Sequence, residues 1–194
     1  MVNQEDPRVL RTRQLIGEAF RDLLQKKGFD AITIKDIAQR ATINRATFYA
    51  HYEDKYALLE EITEQAFHEM IPEQVVNARE FTDEICDQLI LLTHNYIVDF
   101  YRICRIDSNA FATLVDDKIK KMLQQTIESI LLKEDTRHKT DRDHVKIIAA
   151  MTGSAIYGAA HYGVTVGGNN RADLLVDIVR PFVMNGLRQY RNGL

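Results

Sequence analysis

Residues 33–52 read TIKDIAQRATINRATFYAHY. Thr33 stands where a helix N-cap belongs, and Asp36, three positions on, is its partner in a loose capping box. Ile34, Ile37, Ala38 and Ala41 then recur on one face of a short helix. Asn44 caps a second helix, NRATFYAHY, of little more than a turn. Two caps and two apolar faces within 20 residues predict helix, tight turn, helix, with the apolar side chains sharing one small core.

The flanks read the same way. In DPRVLRTRQLIGEAFRDLLQKKGFD (6–30), Asp6 caps and Pro7 suits the first turn. Ile16, Ala19, Phe20, Leu23 and Leu24 form the apolar face, and Gly28 supplies a left-handed stop. A fourth helix starts at an Asp54 cap, carries Leu58, Leu59, Ile62, Ala66 and Phe67, and ends before Pro72. Apolar spacings of three and four predict further helices over 82–105, 107–115, 116–133, 141–164 and 171–191. Pro181 predicts a kink or interruption in the last. KEDTRHKTDRD (133–143) is the best loop candidate. Strand signals are nearly absent, so the chain is expected to be all-α.

A helix-turn-helix can place its second helix in a DNA major groove. The exposed positions of that helix are then Asn44, Arg45, Ala46, Thr47 and Tyr49. Arg bonds guanine bidentately, Thr offers a hydroxyl or a methyl, and Asn caps or reads adenine. Tyr49, His51 and Lys55 suit phosphate oxygens, which set register. The N–H groups at the helix starts of Thr33 and Asp54 can add phosphate contacts. Phe48, Tyr52, Ile37, Ala38 and Ile43 are expected to pack the core.

These residues resemble the DNA-binding domain of the TetR family of bacterial transcriptional regulators. The resemblance covers residues 10–62. It rests on Thr33, Ile37-Ala38, Ala41-Thr42-Ile43-Asn44, Thr47-Phe48-Tyr49, His51-Tyr52, and Lys55 followed by Leu58. Thr42 replaces the usual turn glycine, so the turn is either strained or differently shaped, since a β-branched residue at positive φ is costly. Tyr52 for Phe and Asn44 for Ser are milder departures. The resemblance implies a three-helix DNA-binding domain at 1–55 and a larger helical effector-binding and dimerisation domain at 56–194. It also implies a homodimer on a palindromic operator in double-stranded DNA, usually a repressor, answering to an unknown small-molecule effector. An activator or co-regulator controlled by a protein partner is the alternative.

Within the larger domain, Tyr96, Phe100, Phe111, Met122, Tyr157 and His161 are the candidate effector-pocket residues, being aromatic or soft with a few polar tips. Gly153, Gly158, Ala159, Ile178 and Phe182 are the candidate dimer contacts, the first three because small residues admit a second helix. Packing within the chain needs the same small residues.

Charge is unevenly placed. Residues 1–59 hold 10 Lys+Arg against 8 Asp+Glu, whereas 60–194 hold 15 against 20. The small N-terminal excess fits a polyanionic partner bound with modest, salt-sensitive affinity. The polar N-terminus lacks a signal-peptide core and no apolar run could span a bilayer, so a cytoplasmic protein is expected. Cys86 and Cys104, on one predicted helix, stand roughly 27 Å apart, out of disulfide reach. His94, His138, His144 and His161 have no metal-ligand spacing. An enzyme built on His161 or Tyr157 would lack a nucleophile–base signature. No metal, cofactor or catalytic residue is therefore expected.

Overall fold

The computed structural model describes residues 6–104, 109–134, 141–166 and 172–192. They form α1 (Pro7–Lys27), α2 (Ile34–Arg40), α3 (Arg45–His51), α4 (Lys55–Met70), α5 (Glu73–Val76), α6 (Asp83–Cys104), α7 (Asn109–Glu134), α8 (Arg142–Thr165) and α9 (Ala172–Asn192), with no strand among the described residues. The stretch 135–140, holding His138 and most of the expected polar loop, lies outside the described residues, as do residues 167–171.

Three expectations about the helices need correction. The helices expected at 107–115 and 116–133 are one, α7. No Gly or Pro interrupts it, and Val115, Ile119, Met122 and Leu123 stay buried at helical spacing across the expected break. The short α5 after Pro72 was not anticipated, having only four residues. Finally, of the kink or interruption expected at Pro181, the interruption is absent, α9 running on through it. Proline removes one intrahelical donor there, and the broad apolar face of Val179, Val183, Met184 and Leu187, all buried, holds the helix on both sides.

The chain divides into two compact units, one from residues up to Gln65 with Phe100–Val115, the other from Ala66–Asp99 with the chain from Asp116 onward. In the first, α1 packs on α2 and α2 on α3. Phe20 meets Phe29 edge to face at 6.1 Å, and Ile16, Ile37, Phe48 and Leu58 have no exposed surface. Asp6 accepts from the Arg8 N–H at 2.8 Å, and Gly28 stops α1 at φ 72°.

The turn between α2 and α3 resolves the Thr42 question in favour of strain. Thr42 keeps the left-handed conformation, φ 56°. Ile43 N–H donates to the Ala38 carbonyl at 2.9 Å and Thr42 N–H to that of Gln39 at 3.2 Å. This pair of bonds is the Schellman closure that glycine usually makes. A Cβ in that conformation costs about 1–2 kcal/mol. Glycine's greater freedom in the unfolded chain offsets part of the relief. Thr42→Gly is therefore expected to stabilise the protein by about 1 kcal/mol, measured by denaturant unfolding; equal or lower stability would show the threonine to be unstrained.

In the second unit, Arg180 on α9 pairs with Asp87 on α6 at 2.7 Å. Arg191 donates to the Phe81 carbonyl and to the Glu134 carboxylate, each at 2.9 Å. Cys86 is fully buried, and burial, with Asp87 and Asp83 adding, pushes its thiol up to about 12. Such a thiol is unreactive near neutrality.

Candidate nucleic-acid interface

The site is built on two caps. The Thr33 side chain accepts from Asp36 N–H at 3.2 Å while Asp36 accepts from Thr33 N–H at 2.8 Å, completing the expected capping box. Lys27 pairs with Asp36 at 2.8 Å. That ammonium, then the bonds from Thr33, hold the Asp36 carboxyl well below the usual carboxylate range. Arg40 bonds Asp22 at 2.7 Å. Two of the basic side chains on this face are thus already neutralised from within.

At the start of α3, Asn44 Oδ1 accepts from Thr47 N–H at 2.7 Å and from the Thr47 hydroxyl at 3.0 Å. Asn44 therefore takes the capping option rather than presenting its amide oxygen outward, and the Thr47 hydroxyl is engaged by that cap. Phe48 points inward with no exposed surface. Arg45, Ala46 and Tyr49 lie exposed on the opposite side. Neither the Arg45 guanidinium nor the Tyr49 hydroxyl has a hydrogen bond or ion pair among the described residues, and Tyr49 is 50% exposed.

His51 is half-buried at the end of α3, and burial, then the nearby Arg13 charge, lowers its pKa from the ordinary value. Near pH 7 it offers an N–H rather than a positive charge. Lys55 departs most from expectation. Its ammonium donates to the carbonyls of Phe29 at 3.1 Å, Asp30 at 3.3 Å and Ile32 at 3.0 Å, and lies 4.4 Å from the Phe29 ring centre. An ammonium has three protons, and all three are directed at the α1–α2 connection. The phosphate contact expected of Lys55 is corrected to an internal clamp. The α4 cap matches expectation, with Asp54 Oδ1 accepting from Tyr56 and Ala57 N–H at 2.8 Å each.

One part of this unit has no signature in the sequence. Arg13 on α1, Tyr52 at the end of α3 and Glu61 on α4 meet in a hydrogen-bonded group. Arg13 and Glu61 are 48 positions apart, and no local spacing links them.

Of the candidate effector residues, Tyr157 and His161 come together. Their rings stack at 5.6 Å, the Tyr157 hydroxyl donates to Asp116, and the Lys120 ammonium lies 5.0 Å from the Tyr157 ring centre. Tyr96 packs edge-on against Phe67 at 5.5 Å, and Met122 is buried on α7. Phe100 belongs to the first compact unit, and the Phe111 side chain lies outside the described residues. A cleft of about 260 Å³ between the end of α4, α5 and α7 is lined by His68, Ile71, Val75, Ser129 and Lys133 among others, and by none of the six.

Among the candidate dimer residues, Gly153 is corrected. A Cβ there would stand 3.3 Å from the Gln124 backbone nitrogen, so its smallness serves the packing of α8 on α7. Gly158 faces open space, Ala159 is half-buried, and Ile178 and Phe182 are 60% and 72% exposed. Among the described residues no helix is long and apolar enough to cross a membrane, and no three potential metal ligands cluster.

Residues 16–62 match the family model of bacterial regulatory proteins, tetR family. The chain is 44% identical over 69 residues to the uncharacterised HTH-type transcriptional regulator YxbF of Bacillus subtilis, covering 35% of this chain and 18% of that one. It is 40% identical over 60 residues to the dhaKLM operon transcriptional activator DhaS of Lactococcus lactis, covering 31% of this chain and 32% of that one. The matched segments thus span less than a third of either relative's length. By fold the likeness extends further. A DhaS structure aligns with 91% of this chain and 96% of its own at a TM-score of 0.56 and 22% identity. A TetR-family regulator of Mesorhizobium loti aligns with 94% of this chain and 98% of its own at 0.63 and 17%. These relatives and neighbours are described as transcriptional regulators. Residues 16–62 thus form a DNA-binding domain of the bacterial tetR-family type, and along its length the chain has the helical fold of these structural neighbours.

Proposed function

We propose that the protein is a homodimeric, sequence-specific DNA-binding regulator of the cytoplasm whose operator affinity is changed by a small-molecule effector. The observation that carries the DNA reading is the exposed face of α3, where Arg45 has no partner among the described residues and stands beside Ala46 and Tyr49. Arg45 reads guanine, Ala46 and the Thr47 methyl meet the groove floor, and Tyr49 and His51 hold phosphates. Thr33, Asn44 and Lys55 serve by shaping the two helices.

The dimer reading rests on unpartnered apolar surface. Ile147, Met151 and Tyr162 on α8 are 57–64% exposed, and Ile178 and Phe182 on α9 are more than half exposed. Spacings of four on α9, continued by Gly186 facing open space, put these on one stripe. Such a patch on a soluble regulator marks an interaction surface. A second copy on a two-fold axis covers it and places two copies of α3 on a palindrome.

For the effector, RolR, aligned at a TM-score of 0.56 and 16% identity, has been solved with resorcinol bound. In this chain Tyr157, His161, Asp116 and Lys120 gather donors, acceptors and a flat ring on neighbouring turns of α7 and α8. The effector would act by binding one setting of α4 better than another. The likeness to DhaS, an activator by name, supports the alternative in which the protein activates its target.

Selection of bound sequences from a random duplex library tests the core of this reading. The wild type is expected to enrich a palindrome. Arg45→Ala should lower affinity for it about 10- to 100-fold and relax one base position in each half-site. Equal enrichment by both proteins would remove Arg45 from the readout.

A further inference from the structure

Tyr52 replaces the phenylalanine usual at the end of this recognition helix, and its added hydroxyl is engaged. It donates to Glu61 Oε1 at 2.8 Å. The other Glu61 oxygen pairs with Arg13, whose guanidinium carbon lies 4.8 Å from the Tyr52 ring centre. Gln65 adds a bond to Glu61 Oε1 at 3.3 Å. Three helices are thereby tied at one point: α1 through Arg13, the end of α3 through Tyr52, and α4 through Glu61.

We propose that Arg13, Tyr52 and Glu61 are positioning residues that set the tilt of α3, and hence base discrimination. The inference rests on the DNA-binding reading above. Tyr52 is 5% exposed and closes α3, its N–H bonding the Phe48 carbonyl at 3.0 Å. A bond at that residue acts on the last turn of a helix only seven residues long. The first turn of α3 is already held by the Asn44 cap, so the Tyr52 bond supplies the second fixed point that defines an axis. Burial, then Glu61, raises the phenol pKa, so the hydroxyl stays a donor at any working pH. Charge-assisted bonds of this kind are short and directional, and base-edge recognition loses its geometry when a reading helix shifts.

Two variants test the proposal in the full-length protein. Tyr52→Phe keeps the buried ring and every charge but removes the donor. Arg13→Lys keeps the charge but removes the fork and the stacking plane. Both are assayed, well below their melting temperatures, against the selected operator and against random-sequence duplex. The expected result for each is about a tenfold fall in operator affinity. Affinity for random duplex and the slope of log affinity on log salt should stay unchanged, because those follow the phosphate contacts. A change in fold stability alone would leave the operator-to-random ratio untouched in the folded protein. An unchanged ratio in Tyr52→Phe overturns the inference while leaving DNA recognition standing. A wild type that selects no sequence overturns the DNA reading and this inference with it.

Discussion

Phe182→Glu combined with Ile178→Glu is expected to turn the proposed dimer into a monomer and to lower operator affinity at least about a hundredfold. These two side chains, 72% and 60% exposed, are the most apolar part of the α9 stripe. Covering each stabilises association by about 1.5–3 kcal/mol. A two-fold interface presents every substitution twice, so the double variant removes four apolar contacts and inserts four carboxylates. The same positions in the monomer already face water, so folding should be little affected. Loss of the dimer separates the two reading heads, and a linked second binding event is worth about 10²–10⁴ in affinity. Light scattering coupled to size separation gives the mass, and fluorescence anisotropy with the selected operator gives the affinity. A variant of dimer mass that binds DNA normally would place the interface elsewhere.

Lys55→Met is expected to destabilise the protein by about 2–4 kcal/mol without changing the salt dependence of DNA binding. Methionine matches the length of the stem but has no ammonium. The carbonyls of Phe29, Asp30 and Ile32 then lose a shared donor, and each charge-assisted bond is worth about 1.5–3 kcal/mol, less than additively. The contact with the Phe29 ring adds to the loss. For a chain of this size the melting temperature should fall by about 4–16 °C. Had Lys55 been a phosphate ligand, the slope of log affinity on log salt would drop by about one instead. A stable variant with a reduced slope would reinstate the phosphate role and refute the clamp.

The contrast between Lys55 and Arg45 indicates where local sequence stops being informative. Both are basic residues at the right spacing for DNA. Arg45 lies on a helix face that periodicity alone turns outward. Lys55 opens a helix beside a connection 23 to 26 positions earlier, and no pattern within α4 could reveal those carbonyls. Gly153 and Gly158 differ in the same way. They sit five positions apart, and only the position of α7 decides that the first is filled by packing while the second faces open space.

The sequence by itself determined that the chain is all-α and where the first four helices begin. It also determined that a helix-turn-helix lies at 33–52, while the left-handed conformation of Thr42 came from the structure. Caps, apolar periodicity and Gly or Pro stops act within a few residues, so the free energies that set them are written locally. Tertiary structure alone decided the Lys55 clamp, the single long α7, the inward use of Gly153 and the Arg13–Tyr52–Glu61 group. Each depends on which groups from distant segments are brought within hydrogen-bond or van der Waals range, and that is a property of packed helices rather than of any one of them.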